Sequence, residues 1–271
     1  MVNFVSKSSY NINDLMNLMK VLRSPEGCPW DREQTHESIR RNMLEEAFEV
    51  AEAIDEKNDD HLVEELGDIL MQVIFHADIA ESSGRFNFDD IADATCKKLL
   101  RRHPHVFGDV DVKDGSESLL VWDDIKRQEK NHETTTEAMN SVAQSLPALW
   151  RAEKIQAKAA KVGFDWPDFT GALSSLHSEV QELNQAITAD NDEATAKESH
   201  IEEELGDILF SAVNVARFFG IDPEHALSSA TDKFVSRFHY IEQMAKEARR
   251  ELSDMTLEEM EELYKIAKLE K

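Results

Sequence analysis

Cysteine is almost missing from this 271-residue chain, which holds only Cys28 and Cys96, with no CxxC spacing. Two isolated thiols cannot build a disulfide framework or a thiolate zinc site, and both are expected to be free in a reducing compartment. Nine glycines and six prolines are likewise few, leaving little turn-forming material for an all-β or doubly wound fold. No run approaches the roughly 18 apolar residues of a membrane span, and the opening MVNFVSKSSYNIND lacks the apolar centre of a signal peptide. A cytoplasmic protein with no membrane attachment is therefore expected. Basic residues are outnumbered, 30 Lys and Arg against 55 Asp and Glu, for a formal charge of −25. A field of that sign repels nucleic-acid backbones and free nucleotides alike. Direct nucleic-acid binding is not expected, and any phosphate ligand needs metal ions or local cations to approach.

The residues that are abundant, Glu, Ala, Leu, Lys and Met, favour an all-α fold. Within them one segment recurs: EELGDIL stands at Glu64 to Leu70 and again at Glu203 to Leu209, 139 residues later, with similar surroundings. A repeat of that period in a chain of this length predicts tandem helical-bundle domains, each large enough to bury a core. Their expected bounds are 1–130 and 145–271, joined by a linker at 131–144 whose NHETTTEAMN is polar and without periodicity. Both copies place a glycine in a helix interior, where it costs about 1 kcal/mol relative to alanine. Gly67 and Gly206 are thus expected to serve close packing or catalysis.

Apolar spacing predicts a short helix through Leu15, Leu18, Met19 and Leu22, then a structured loop from Ser24 to Trp30. Long helices follow at about Glu33 to Lys57 and His61 to Ser82, paired as an antiparallel hairpin across Asn58-Asp59-Asp60, then one at Phe88 to Arg102. His103-Pro104-His105 stops that helix, and a last segment lies near Trp122. The second half repeats the plan, with a Gly163 to Pro167 loop, helices at about Phe169 to Ala189, Glu198 to Phe219, Pro223 to Arg250 and Leu257 to Lys268, and a hairpin turn longer by six residues.

The acids carry the chemical signal. Glu45, Glu46 and Glu49 form EExxE, and Glu65 and Asp68 form ExxD on the next helix. Residues three or four apart share a helical face, so an antiparallel hairpin can bring the carboxylates face to face as a cation site. The second half offers Glu179 and Glu182, then Glu204 and Asp207, with Ser178 in place of Glu45. One such cluster is what any amphipathic helix shows to solvent. The recurrence on two consecutive helices in both halves is what favours a site. Downstream, Lys98 and Arg102 match Lys233 and Arg237 as i,i+4 pairs able to grip phosphates, and Trp122 matches Tyr264 as an aromatic plane for a base. An all-oxygen donor set suits Mg²⁺, with Mn²⁺ as substitute. The pairs Glu33/His36 and Glu129/His132 and the His103/His105 pair are set aside as metal ligands, because they lie beside a Pro-rich loop, at a helix end or at the linker.

With GCPWD, RRHPHVF, SLPAL and KVGFDW between the acidic motifs, nearly the whole chain resembles the MazG nucleoside triphosphate pyrophosphohydrolase family in its two-repeat bacterial form. The resemblance implies an all-α homodimer that converts an NTP and water to NMP and diphosphate with Mg²⁺, by water attack on the α-phosphorus, in nucleotide housecleaning or pool control. It makes Glu179, Glu182, Glu204 and Asp207 catalytic metal ligands in the second repeat, which the family credits with the hydrolysis. Glu46, Glu49, Glu65 and Asp68 become the matching first-repeat ligands. Nucleotide contacts are then expected at Ser178, His200, Lys233, Arg237 and Tyr264, and in the first repeat at Glu45, Lys98, Arg102 and Trp122. Ser178 departs from the family's Glu, His200 from a Lys and Tyr264 from a Trp. Two other readings are an acidic helical scaffold for a protein partner and a phosphoribosyl-ATP pyrophosphohydrolase, which the tandem halves disfavour.

Overall fold

A computed structural model describes residues 4–130, 133–189 and 194–269. Its described residues form helices and turns without a β-strand, and the chain divides into two compact units, Met1–Lys130 and Asn131–Lys271. Among the described residues no helix is long and apolar enough to cross a membrane. Both cysteines are free thiols.

In the first unit α1 (Ile12–Leu22) leads through the short α2 (Pro29–Glu33) into α3 (Arg40–Glu56) and α4 (Asp59–Ser82). A hairpin of α3 and α4 is the centre of the unit; α1 and α5 (Phe88–Arg102) pack on α4, the one-turn α6 (Pro104–Phe107) lies against α5, and α7 (Gly115–Lys130) packs on α5. Met19, Ile39, Ile74, Phe75 and Ile79 form the buried core, flanked by Leu15, Met16, Met71 and Phe88. Arg23, the cap residue that ends α1, reaches Asp78 on α4 at 2.6 Å with its guanidinium 5.1 Å above the Phe75 ring.

In the second unit α8 (Thr135–Asn140) packs on α9 (Ala148–Ala160), α9 packs on α11 and α12, and α10 (Phe169–Thr188) and α11 (Ala194–Phe218) form the hairpin. The last two long elements, α12 (Pro223–Glu247) and α13 (Leu257–Ala267), pack on each other. The two long central helices end alike. After α4, Gly84 takes φ of +67°, its N–H donates to the Glu81 carbonyl and that of Arg85 to the Ala80 carbonyl; after α11, Gly220 takes +62° with the same bonds from Gly220 to Arg217 and Ile221 to Ala216. A left-handed residue is what turns the chain back over the last carbonyls, and glycine adopts it without a Cβ penalty.

Several expectations are corrected. The helix expected from Glu33 begins at Arg40, because Thr35 and Ser38 exchange hydroxyl bonds with each other's backbone N–H and hold a turn there. Part of the expected linker is the helix α8, started by a Thr134/Glu137 capping box that offsets its weak periodicity. Helix α9 falls where no element is expected, although its run of alanines with Trp150 and Ile155 suits a helix. Asn131 and His132 of the linker, and residues 190–193 of the longer hairpin turn, lie outside the described residues.

Gly67 and Gly206 contradict the close-packing expectation: a Cβ built on either meets nothing within 4 Å. Replacing each by alanine should therefore stabilise its unit by up to about 1 kcal/mol, the helix-propensity difference, raising the thermal midpoint by a few degrees. A lowered midpoint in either variant would contradict the open geometry.

The first unit also holds a directed hydrogen-bond chain. Arg85 Nη2 lies 2.6 Å from His36 Nε2, and His36 Nδ1 lies 2.7 Å from His76 Nδ1, with the two imidazoles stacked 5.0 Å apart. Arginine can only donate, so His36 accepts at Nε2, carries its proton at Nδ1, and donates to an unprotonated His76 Nδ1. Both rings are neutral in this arrangement. Burial, and then the proximity of His36, push His76 below its ordinary value of 6.5. The unfolded chain accordingly takes up the proton first as pH falls below about 6.5, and stability drops through that window. Thermal melts at pH 7.5 and 5.5 should show this loss, and His76→Gln should flatten it.

Candidate active site

The hairpin of α3 and α4 places Glu46 and Glu49 opposite Glu65, so that one carboxylate oxygen from each lies within 4.8 Å of the others. Antiparallel packing positions them: Glu46 and Glu49 are one turn apart on α3, and Glu65 sits where α4 crosses that face. Burial and then the carboxylates of Asp68, Glu49 and Glu65 raise the Glu46 carboxyl above its ordinary value. Burial and Glu49 do the same to Glu65, with His61 working against them. The hairpin of α10 and α11 repeats the arrangement with Glu179, Glu204 and Asp207, again within 4.8 Å. There burial, followed by Glu182, Asp207 and Glu204, raises Glu179.

The buried member is the same residue in both units. Glu65 is 7% exposed and Glu204 6%, and each has its Oε2 buried without any hydrogen-bond partner. A buried carboxylate oxygen without a partner, on a residue that belongs to an acidic cluster, is costly unless a cation completes it. Three converging oxygen donors and one such orphan fit a divalent cation of the hard, oxygen-seeking kind.

The sequence-expected ligands are not all equivalent. Asp68 and Glu182 stand outside the tight three-residue sets, although each is close enough to raise Glu46 or Glu179. Glu182 instead accepts from the Ser178 hydroxyl at 3.0 Å, so the residue that departs from EExxE grips a neighbouring acid of its own helix. In the first unit Glu45 is held by Arg41 at 2.6 Å.

One histidine adjoins each cluster, and sequence reading overlooked that of the first unit. His61 Nε2 lies 3.2 Å from Glu65, and His200 Nδ1 lies 3.5 Å from Glu204. Its bond to Glu56 and the nearby Glu65 raise the His61 imidazole above its ordinary value, against the effect of burial. The signal was present: HxxxE precedes GDIL in both copies of the repeat, at His61 to Glu65 and His200 to Glu204.

The expected cations and aromatics form a second cluster in each unit. In the first, Trp122 lies under Arg102 at 5.1 Å and Lys126 at 4.7 Å. In the second, Tyr264 lies under Arg237 at 5.6 Å and Lys268 at 5.1 Å, with Phe234 packed 5.9 Å from its ring. Lys98 and Lys233 are exposed on the same helices. Arg102 is already engaged, its Nε and Nη2 reaching Glu129 at 3.0 and 2.5 Å, while Arg101 reaches the other Glu129 oxygen at 2.5 Å. The two guanidiniums hold the Glu129 carboxyl at about 2. The His103 and His105 rings lie tilted with centroids 5.5 Å apart and belong to neither three-acid set, and His132 lies outside the described residues.

If the three-acid sets hold a divalent cation, adding one to chelator-treated protein should raise the thermal midpoint, because it relieves the repulsion that lifts Glu46 and Glu179. Replacing both buried acids, as Glu65→Gln with Glu204→Gln, should abolish that rise. An undiminished rise in the double variant would place the cation elsewhere.

A family model described as the MazG nucleotide pyrophosphohydrolase domain matches residues 34–107 and 169–241, the segments that contain the two acidic hairpins. The chain is 44% identical over 94% of its length to a Thermotoga maritima protein named nucleoside triphosphate pyrophosphohydrolase/pyrophosphatase MazG, covering 94% of that protein. It is 42% identical over 95% of its length to the nucleoside triphosphate pyrophosphohydrolase of Escherichia coli K12, covering 97% of it. An uncharacterized Bacillus subtilis protein, YabN, is 46% identical over 96% of this chain, which spans 52% of that relative.

Proposed function

The chain belongs to the MazG nucleotide pyrophosphohydrolase family, and from that premise we propose that it hydrolyses nucleoside triphosphates to the monophosphate and diphosphate at the carboxylate cluster of the second unit. The observation that carries the reading is the convergence of Glu204 with Glu179 and Asp207, together with a Glu204 Oε2 that is buried without a hydrogen-bond partner. Mg²⁺ is the cation these oxygens suit best, and when bound it would offset phosphate charge and the excess negative charge of the chain. Glu179, Glu204 and Asp207 would hold it, with Glu182 adjoining.

The protein's own groups do the rest. Lys233 and Arg237 bind the polyphosphate, and Tyr264 offers its ring to the base. A carboxylate of the cluster orients the attacking water toward the α-phosphorus and accepts its proton. His200 keeps the buried Glu204 in place, and Ser178 fixes Glu182. These two departures from the family pattern bear on which nucleotide is preferred. Housecleaning of aberrant nucleotides or control of a cytoplasmic nucleotide pool fits the reaction.

A homodimer belongs to the same proposal. Leu66 and Leu205, at equivalent positions in the repeat, are 50% and 48% exposed, and Leu70 and Leu209, one turn later, are exposed as well. Apolar side chains on the same helical face in both units suit a symmetric partner surface.

Glu204→Gln should lower the rate of Mg²⁺-dependent diphosphate release by about 100-fold or more while leaving the helical circular dichroism unchanged, because it alters a ligand charge and not the packing. Full activity in the variant would remove Glu204 from the site.

A further inference from the structure

The two units offer the same helix arrangement to a nucleotide, but not the same free cations. We propose that Glu129 is a specificity-determining residue of the first unit, an internal anion that occupies its arginine pair and so excludes a substrate phosphate from it. The inference rests on the reading that Arg237 and its counterpart Arg102 are the phosphate-binding arginines.

Three observations carry it. Arg102 makes two bonds to one Glu129 oxygen and Arg101 a third to the other; Arg102 and Glu129 are largely buried, at 14% and 17% side-chain exposure, while Arg101 is exposed at 57%. The donor edge of Arg102 that could meet a phosphate is thereby filled by a carboxylate, the closest chemical stand-in that the chain can provide. In the second unit Arg237 makes no ion pair among the described residues, and its Nε is buried with no hydrogen-bond partner. A guanidinium left in that state is prepared for an acceptor from outside the chain. Lastly, the sequence supplies the lock only once. In the register that aligns Arg102 with Arg237, Ser236 replaces Arg101, and in the register that aligns Trp122 with Tyr264, Lys271 replaces Glu129.

The energetic argument follows from tethering. Glu129 is held beside Arg102 by the packing of α7 on α5, so it competes at the high local concentration of an attached group. A nucleotide phosphate has to displace three charge-assisted bonds before it forms its own. The acids of the first unit are complete, with Glu46, Glu49 and Glu65 converged, so it is the cation side that closes the site.

The test is the number of nucleotides bound per chain, measured by isothermal titration calorimetry with an α,β-methylene NTP and Mg²⁺. Wild type is expected to bind one, Glu129→Gln two, and Glu129→Gln with Glu204→Gln one, the affinity of the added site rising at least tenfold over its value in wild type. No added binding in Glu129→Gln with unchanged circular dichroism overturns the proposal, as does wild type that already binds two. If Glu129→Gln loses its helical signal, Glu129→Ala, which removes the carboxylate and leaves no buried amide, is measured in its place and judged alike. Failure of the parent reading is separately visible: wild type would then release no diphosphate and bind no nucleotide, whereas the effect of Glu129 is read as the difference between variant and wild type.

Discussion

Two antiparallel helices press like charges together in each half of this protein, and the rest of the site is arranged around that opposition. The packing of α3 on α4, and of α10 on α11, holds three carboxylates with their oxygens within 4.8 Å. Repulsion and burial raise Glu46, Glu65 and Glu179 above their ordinary values, and an unsatisfied oxygen on Glu65 and on Glu204 remains inside. Such a cluster is unfavourable by itself. It makes sense as half of an assembly whose other half is positive, and the net charge of −25 shows how little the chain supplies for that purpose globally. Local histidines, His61 and His200, provide a small part of it.

Around the shared acidic hairpin, equivalent positions of the two units have diverged. Glu45 and Arg41 form an ion pair in the first unit, while Ser178 donates a hydroxyl to Glu182 in the second. Arg102 is bound by Glu129, whereas Arg237, its guanidinium over Tyr264, has a buried Nε without a hydrogen-bond partner. The acidic hairpin and its buried glutamate are common to both. One scaffold thereby presents two different electrostatic surfaces to a phosphate.

Much of this was legible in the sequence, because it depends on spacing. The all-α architecture followed from composition and periodicity, and the facing of EExxE against ExxD followed from helical geometry. Which carboxylates converge most tightly was not legible: Asp68 and Glu182 lie outside the closest sets, since side-chain rotamers and a hydroxyl partner decide differences of a few ångströms. The turn that delays α3 to Arg40 depends on reciprocal Thr35 and Ser38 bonds that compete with a helix-compatible pattern. The hold of Glu129 on Arg101 and Arg102 spans two helices, and no periodicity within either one reveals it. The relay from Arg85 through His36 to His76 is likewise assembled from three separate segments.

The left-handed corners at Gly84 and Gly220 bear on how such a molecule diverges after duplication. Around them nearly every neighbour has changed, Ser83 to Phe219 and Arg85 to Ile221, while the handedness and both backbone bonds are the same. A β-carbon there would strain the corner whatever side chain it carried. Drift is thus free to rewrite the surface of each half but not the left-handed corner through which its central helix hands the chain onward.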